Sequence, residues 1–426
     1  MSSINIKELP YRIYNKLPER VKTLIHPGVR VFYSLKEFFQ LVFHLRFDAY
    51  LLQGKEKWGN ENLTTLFFGG ATGVLFLSDL LYSGEPKKEN LGKFFFWRVR
   101  SKINSDLPRS DLVFINMGGF FSRLLSHQGF MIIPVWILFM LDLSKKFPEA
   151  WNLSKSKNKS LRENLREFRR QNYSYEVTQD PAKFEYFYHH MYLPYAKKRY
   201  EELMLKASFH DMGRLFKKGE LLLVKKGDNY VSGILLVRES PDTILAYSLG
   251  ITGGNIEYLK AGALTAVYYF GILWAQEKGY KWMDFGHCRS FLKDGVFNYK
   301  KHWGMEIRIS ERLRSVFGIR ICNDCRSVHN FLEKCPFIFM DQGKLKGLIF
   351  IEKNQDVSFK EVQAFIKDYA IPGLDCLIIA SDQGFDQEAK EFANSCSTPR
   401  VQLLSIKKED FTGDLAMVLN QGNAMV

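Results

Sequence analysis

The stretch MDFGHCRSFLKDGVFNYKKHWGMEI, residues 283–307, gathers several residues able to do chemistry. Asp284 stands at the end of an apolar strand, where a carboxylate can hold or deprotonate an amine. His287 titrates in the range a general base needs, and Arg289 adds a fixed cation two residues on. Lys300 sits in a basic aromatic run ending at Trp303 and Gly304. A preplaced cation beside an oxygen that gains charge in a reaction contributes roughly 3 kcal/mol. Each has a structural alternative: a strand-end aspartate caps the next turn, a lone histidine is more often structural, and a lysine beside Lys301 can simply be solvated. Cys288 has no histidine and carboxylate legible around it, so it reads as a small core residue.

The elements that must position these residues are legible upstream. GELLLVKKGDNYVSGILLVRES gives two strands joined by a Gly-Asp-Asn turn, and DTILAYSLGIT a third. NIEYLKAGALTAVYYFGILWAQEKGY is a long, largely buried helix, KWMDFG a strand and FNYKKHW a helix. Meander, helix, strand, helix over 219–303 resembles the GNAT acyltransferase fold, in which two strands part and leave a cleft for the acyl donor.

The run from LDLS through LRENLREFRRQNYSYEV, FYHHMYLPYAKKR and GELLLVKKGDNYVSGILLV to MDFGHCRSFLKDGVFNYKKHWG is more specifically similar to the Fem-type peptidoglycan aminoacyltransferases and to cellulose-biosynthesis-associated acyltransferases. The resemblance covers about residues 140–305. Its most specific piece is Asp284-Phe285-Gly286, then the aromatic-lysine step Tyr299-Lys300, then Trp303-Gly304. It implies tandem GNAT-like domains, Lys300 as the residue that stabilises charge on the reacting carbonyl, and a substrate side built from Tyr299, Arg289 and Trp303. At the start of the central helix, YLKAGAL puts Leu259 where acetyl-CoA-using relatives carry a polar residue three before the glycine. Lys260, Gly262 and the aromatic Tyr247 are the donor-side candidates, and an ordinary acetyl-CoA site is not expected there.

With 426 residues, two or three domains are the expectation. The fold class expected is mixed α/β: an amphipathic helical segment over 1–60, a first GNAT-like domain over 61–150, a second over 151–342, and a small α/β module over 343–426. Strands expected near 64–68 and 111–116, and alternating strands and helices after 343, carry that division. Two apolar stretches, 63–82 and 130–141, read as buried strand and helix. The first holds three glycines and Asp79, and the second is too short to cross a bilayer.

A net charge of +14 points to polyanions: nucleic acid, an anionic lipid surface or phosphorylated substrates. Six cysteines form no disulfide framework in so long a chain, which suits a reducing cytoplasm. Cys322, Cys325, His329 and Cys335 invite a zinc reading, but their spacing suits a helix with buried thiols, so no metal is expected. The function expected is N- or O-acyl or aminoacyl transfer in cell-envelope or polysaccharide metabolism. The donor, acyl-CoA, acyl carrier protein or charged tRNA, is a co-substrate rather than a bound cofactor, and the acceptor is a phosphate-bearing lipid-, sugar- or peptide-linked molecule. The location expected is cytoplasmic, with peripheral contact at the inner membrane face. The rival is a non-catalytic protein that keeps the fold and binds RNA or an anionic membrane.

Overall fold

The computed structural model describes residues 46–106, 109–119, 125, 129–144, 159–200 and 207–406. Its strands are β1 (Arg46–Lys55), β2 (Asn62–Phe68), β3 (Lys87–Phe95), β4 (Leu112–Gly118), β5 (Met131–Pro134), β6 (Trp136–Asp142), β7 (Ser174–Thr178), β8 (Gly219–Lys226), β9 (Asn229–Arg238), β10 (Thr243–Ile251), β11 (Trp282–Arg289), β12 (Glu306–Ile309), β13 (Ser315–Ile321), β14 (Phe337–Asp341), β15 (Lys344–Ile351), β16 (Cys376–Ser381) and β17 (Arg400–Ser405). The helices are α1 (Ala71–Leu81), α2 (Phe96–Asp106), α3 (Lys159–Arg170), α4 (Pro181–Tyr186), α5 (Leu193–Tyr200), α6 (Phe209–Phe216), α7 (Ile256–Lys260), α8 (Ala263–Glu277), α9 (Gly295–His302), α10 (Arg326–Lys334), α11 (Phe359–Tyr369) and α12 (Gln387–Ser395). A π-helical turn, Phe187–Tyr192, joins α4 to α5, so the helical run continues through Pro194.

Two sheets organise these elements. A ten-stranded sheet runs β17-β16-β15-β14-β5-β13-β4-β2-β1-β3, and a seven-stranded one runs β12-β6-β11-β10-β9-β8-β7. Both mix parallel and antiparallel pairs, as in β2 with β4 and β10 with β11. The protein is therefore mixed α/β, and its second sheet has the expected meander, central helix and following strand.

Sheet membership departs from the linear division. Met131–Pro134 and Trp136–Asp142 are one apolar run, yet Pro134 ends a strand of the first sheet and Trp136 begins one of the second. The strands expected as a separate module after 343 continue the first sheet through β14, which bridges β5 at Met340 and Ile132. The boundaries near 150 and 342 thus do not coincide with the sheets. Most of the N-terminal segment, and the last expected helix, EDFTGDLAMVL, lie outside the described residues. Where the segment enters them, Arg46–Lys55 is a strand and not helix: it pairs β2 on one side and β3 on the other. Two-sided pairing over Ala49–Gln53 satisfies backbone groups on both edges of the strand, which outweighs a helical spacing of apolar side chains.

Alternation along the second sheet splits its side chains between two cores. Leu222, Val224, Ile234, Leu236 and Ile244 pack with Ala266, Val267 and Phe270 of α8. Leu221, Leu223, Leu235 and Val237 face the other way, against Phe187, Met191, Met212 and Phe216. The α8 core continues through Trp303 to Leu345 and Leu377, so the two sheets share it. Among the described residues, no helix is long and apolar enough to cross a membrane.

Candidate functional site

β10 and β11 run parallel for three rungs only, Thr243 with Trp282, Ile244 with Met283 and Leu245 with Asp284. Beyond that level β10 keeps β9 and β11 keeps β6, and a gap opens between them. Both strands slip register just there: β10 between Ala246 and Ser248, β11 between Asp284 and His287. Bulges bend their strands and sharpen the local twist, which is what parting two neighbours requires. The consequence is visible in burial, since Leu245 to Leu249 are all partly exposed although β10 lies inside the sheet.

Asp284 is 2% exposed at the last shared rung. Its Oδ1 accepts the Gly286 N–H at 2.6 Å, closing the β11 bulge, and Gly286 takes φ +72°, a conformation glycine adopts without cost. Burial raises the Asp284 carboxyl above its ordinary range, against the opposing pull of the Gly286 N–H and the Lys300 charge. Arg312 places one guanidinium nitrogen 4.0 Å from Asp284 and pairs with Glu239 at the end of β9.

Lys300 is 4% exposed. Its Nζ donates to the carbonyls of His287 at 3.1 Å and Gly286 at 3.3 Å, and lies 5.2 Å from the centre of the Phe139 ring. The ammonium thus braces the backbone of the β11 bulge. Tyr299 of the same helix and Trp303, which caps its end, join the rings of Tyr268 and Phe285 in the α8 core, with Trp303 fully buried. The aromatic-lysine step is therefore turned into the core.

His287 is half-buried, with Nε2 2.7 Å from Ser310 Oγ. Burial and the Lys300 charge lower its pKa to about 4. Burial pushes the Cys288 thiol up, and its Sγ reaches Asp294 at 3.4 Å. Arg289 leaves the opening altogether: it binds Asp79 of α1 at 3.0 Å and covers the Phe76 ring at 4.7 Å, tying β11 to the first sheet's helix. The aromatic rings of this region do not converge on the opening. Tyr247 packs with the α4 to α6 side, Tyr258 and Tyr299 with the α8 core, and Phe291 with Phe76.

The donor-side candidates fare differently. Lys260 is exposed and pairs with Glu257 at 3.0 Å. Gly262, at φ +81°, precedes α8, and a Cβ there would meet the backbone nitrogen of Phe168 at 3.1 Å. The Tyr173 hydroxyl donates to the neighbouring Ala261 carbonyl at 3.1 Å. The glycine thus allows close approach of α3 to the start of α8. Gly262→Val is expected to lower stability by about 2 kcal/mol, from left-handed strain plus the backbone contact. Urea unfolding measures it, and an unchanged midpoint would refute this reading of the turn.

Of the residues of the zinc reading, Cys322 has its Sγ 3.9 Å from the Arg320 carbonyl. Cys325 meets Ser327 at 3.2 Å, and Cys335 packs in the first sheet's core. His329 pairs with Asp324 and lies 3.5 Å from Glu352. Sequence reasoning missed Ser310, Arg312 and Glu239, which reach the site from loops with no motif of their own.

No family model and no curated protein matches the sequence. Solved structures with a similar chain course include L-PGS from Bacillus licheniformis, at 12% identity and TM-score 0.33, covering 63% of this chain and 80% of that one. A tandem GNAT protein from the clavulanic acid biosynthesis pathway matches at 10% identity and TM-score 0.28, covering 62% and 81%. A GCN5-related N-acetyltransferase from Anabaena variabilis matches at 9% and 0.25, covering 70% of each chain. At these values the likenesses carry no weight on substrate or mechanism.

Proposed function

We propose that the chain is an acyltransferase of the Fem-like GNAT type, moving an acyl or aminoacyl group onto an amine or hydroxyl of a phosphate-bearing lipid-, sugar- or peptide-linked acceptor. The observation that carries the reading is the gap between β10 and β11, opened by two bulges at one level. A sheet opened in its middle offers two strand edges to an extended donor arm, which can pair with them as an added strand does. Asp284 at the floor, with a raised carboxyl, the guanidinium of Arg312 and the ammonium of Lys300 are charged groups at the point of parting. The charge of +14 suits a phosphate-bearing acceptor or a donor on tRNA or acyl carrier protein, and a peripheral membrane contact in the cytoplasm.

The turn at Gly262 is occupied by packing against α3, which disfavours the usual pyrophosphate seat of acetyl-CoA. A transfer assay read by mass spectrometry should compare acetyl-CoA, long-chain acyl-CoA, acyl carrier protein and charged tRNA. A carrier-delivered or larger acyl group is expected to be preferred by tenfold or more. Efficient acetyl transfer with tight acetyl-CoA binding would overturn the donor assignment.

A further inference from the structure

Ser310 follows β12 and is buried, and its Oγ has three neighbours: His287 Nε2 at 2.7 Å, the Arg312 N–H at 3.2 Å and the Leu313 N–H at 2.9 Å. A hydroxyl has two lone pairs and one hydrogen. The two backbone donors take the lone pairs, so the hydrogen goes to Nε2. The reverse arrangement would aim three donors at one oxygen and strand a buried O–H, at about 1–3 kcal/mol. Nε2 is then an acceptor, and the ring carries its proton on Nδ1.

We propose that Ser310 is a positioning residue that fixes His287 as an Nδ1–H donor beside the gap between β10 and β11, available to the carbonyl oxygen of the transferred group. Among the described residues nothing accepts a hydrogen bond from Nδ1, and His287 keeps part of its surface exposed. The charged groups around it are Lys300 behind the strand, Asp284 on the same strand and Arg312 on the loop. Lys300 and burial keep the ring neutral at physiological pH. The expected role as general base is thereby replaced, because the one free lone pair of the neutral ring already faces Ser310. A neutral imidazole that donates to a carbonyl is an established means of polarising it. The use in transfer rests on the acyltransferase reading; the tautomer does not.

The test is nitrogen-15 NMR of the full chain labelled at histidine, with His287→Gln identifying the signal. The Nδ1–H pattern is expected at pH 7 and down to about pH 5. Ser310→Ala should move the ring toward the Nε2–H form, and Ser310→Thr, which keeps a hydroxyl, should restore the original pattern. An Nε2–H or imidazolium pattern in the wild type at pH 7 would overturn the proposal, as would a pattern unchanged in Ser310→Ala. If Ser310→Ala does not fold, the wild-type and Ser310→Thr spectra decide it. None of these readouts needs a substrate, so failure to find acyl transfer would defeat the functional reading while leaving the tautomer assignment intact.

Discussion

Lys300→Met is expected to destabilise the fold by about 3 kcal/mol, with a deficit that shrinks on acidification. The lysine is buried, and its ammonium answers the carbonyls of Gly286 and His287. Methionine fills similar volume but leaves those carbonyls without their donor, at about 1–3 kcal/mol. It also removes the charge that opposes the burial of Asp284, and a buried charge that loses its compensation costs about 3–5 kcal/mol. Relief from desolvating the ammonium offsets part of this sum.

The pH dependence follows from two shifts of opposite kind. Asp284 has a folded pKa raised above its unfolded value, so its contribution is fully present below the unfolded pKa and declines as pH rises through the folded one. His287 has a folded pKa lowered to about 4 from 6.5, so its contribution is present above 6.5 and is lost as pH falls toward 4. Lys300 pulls both values down. Without it Asp284 rises further and His287 falls less, and both changes favour the variant at low pH relative to wild type. Denaturant unfolding at pH 5 and pH 8 should therefore give a smaller difference between the two proteins at pH 5. An equal or larger difference there would show that Lys300 does not act on these two groups.

Much of the second sheet was legible because its signals are local. Short apolar runs in Gly219–Lys226 and Asn229–Arg238, a turn of Gly227 and Asp228, and a longer apolar run at Ala263–Glu277 each fix an element from its own residues. Pairing is not local. Nothing in residues 131–142 says that a strand ends at Pro134 in one sheet and another begins at Trp136 in the next, because both halves are equally apolar. The same limit applies to the site. The residues around Asp284 and Lys300 stood out by type, but a lysine aimed at two carbonyls and a phenyl ring has the same sequence as one aimed at a substrate. Ser310 and Arg312 carried no signal, since their roles come from the return of a loop over a strand tens of residues earlier in the chain. Arg289 illustrates the converse: its partner, Asp79, is 210 residues away, a contact that spacing along one helix or strand cannot reveal.

Trp303→Ala is expected to cost more than Lys300→Met, about 3–5 kcal/mol, and to damage the site as well. Trp303 is among the largest fully buried side chains of the described chain, and its ring lies 5.4 Å from Tyr268 and 6.3 Å from Tyr299. Truncating a buried tryptophan loses its transfer energy and leaves a cavity that a packed core only partly closes. The position matters beyond packing. Its backbone N–H caps α9 by donating to the Lys300 carbonyl at 3.0 Å, and Phe297 and Lys300 of the same helix both face Phe139. Loosening the end of α9 would therefore release the ammonium from the β11 bulge, so two effects that look separate in the sequence become one in the fold. A substrate-binding tryptophan would behave otherwise, losing affinity with little change in stability. Trp303→Phe separates the cases: it should recover more than half of the lost stability by refilling the aromatic cluster. Full stability of Trp303→Ala would place the indole outside the core and reinstate the substrate-side role.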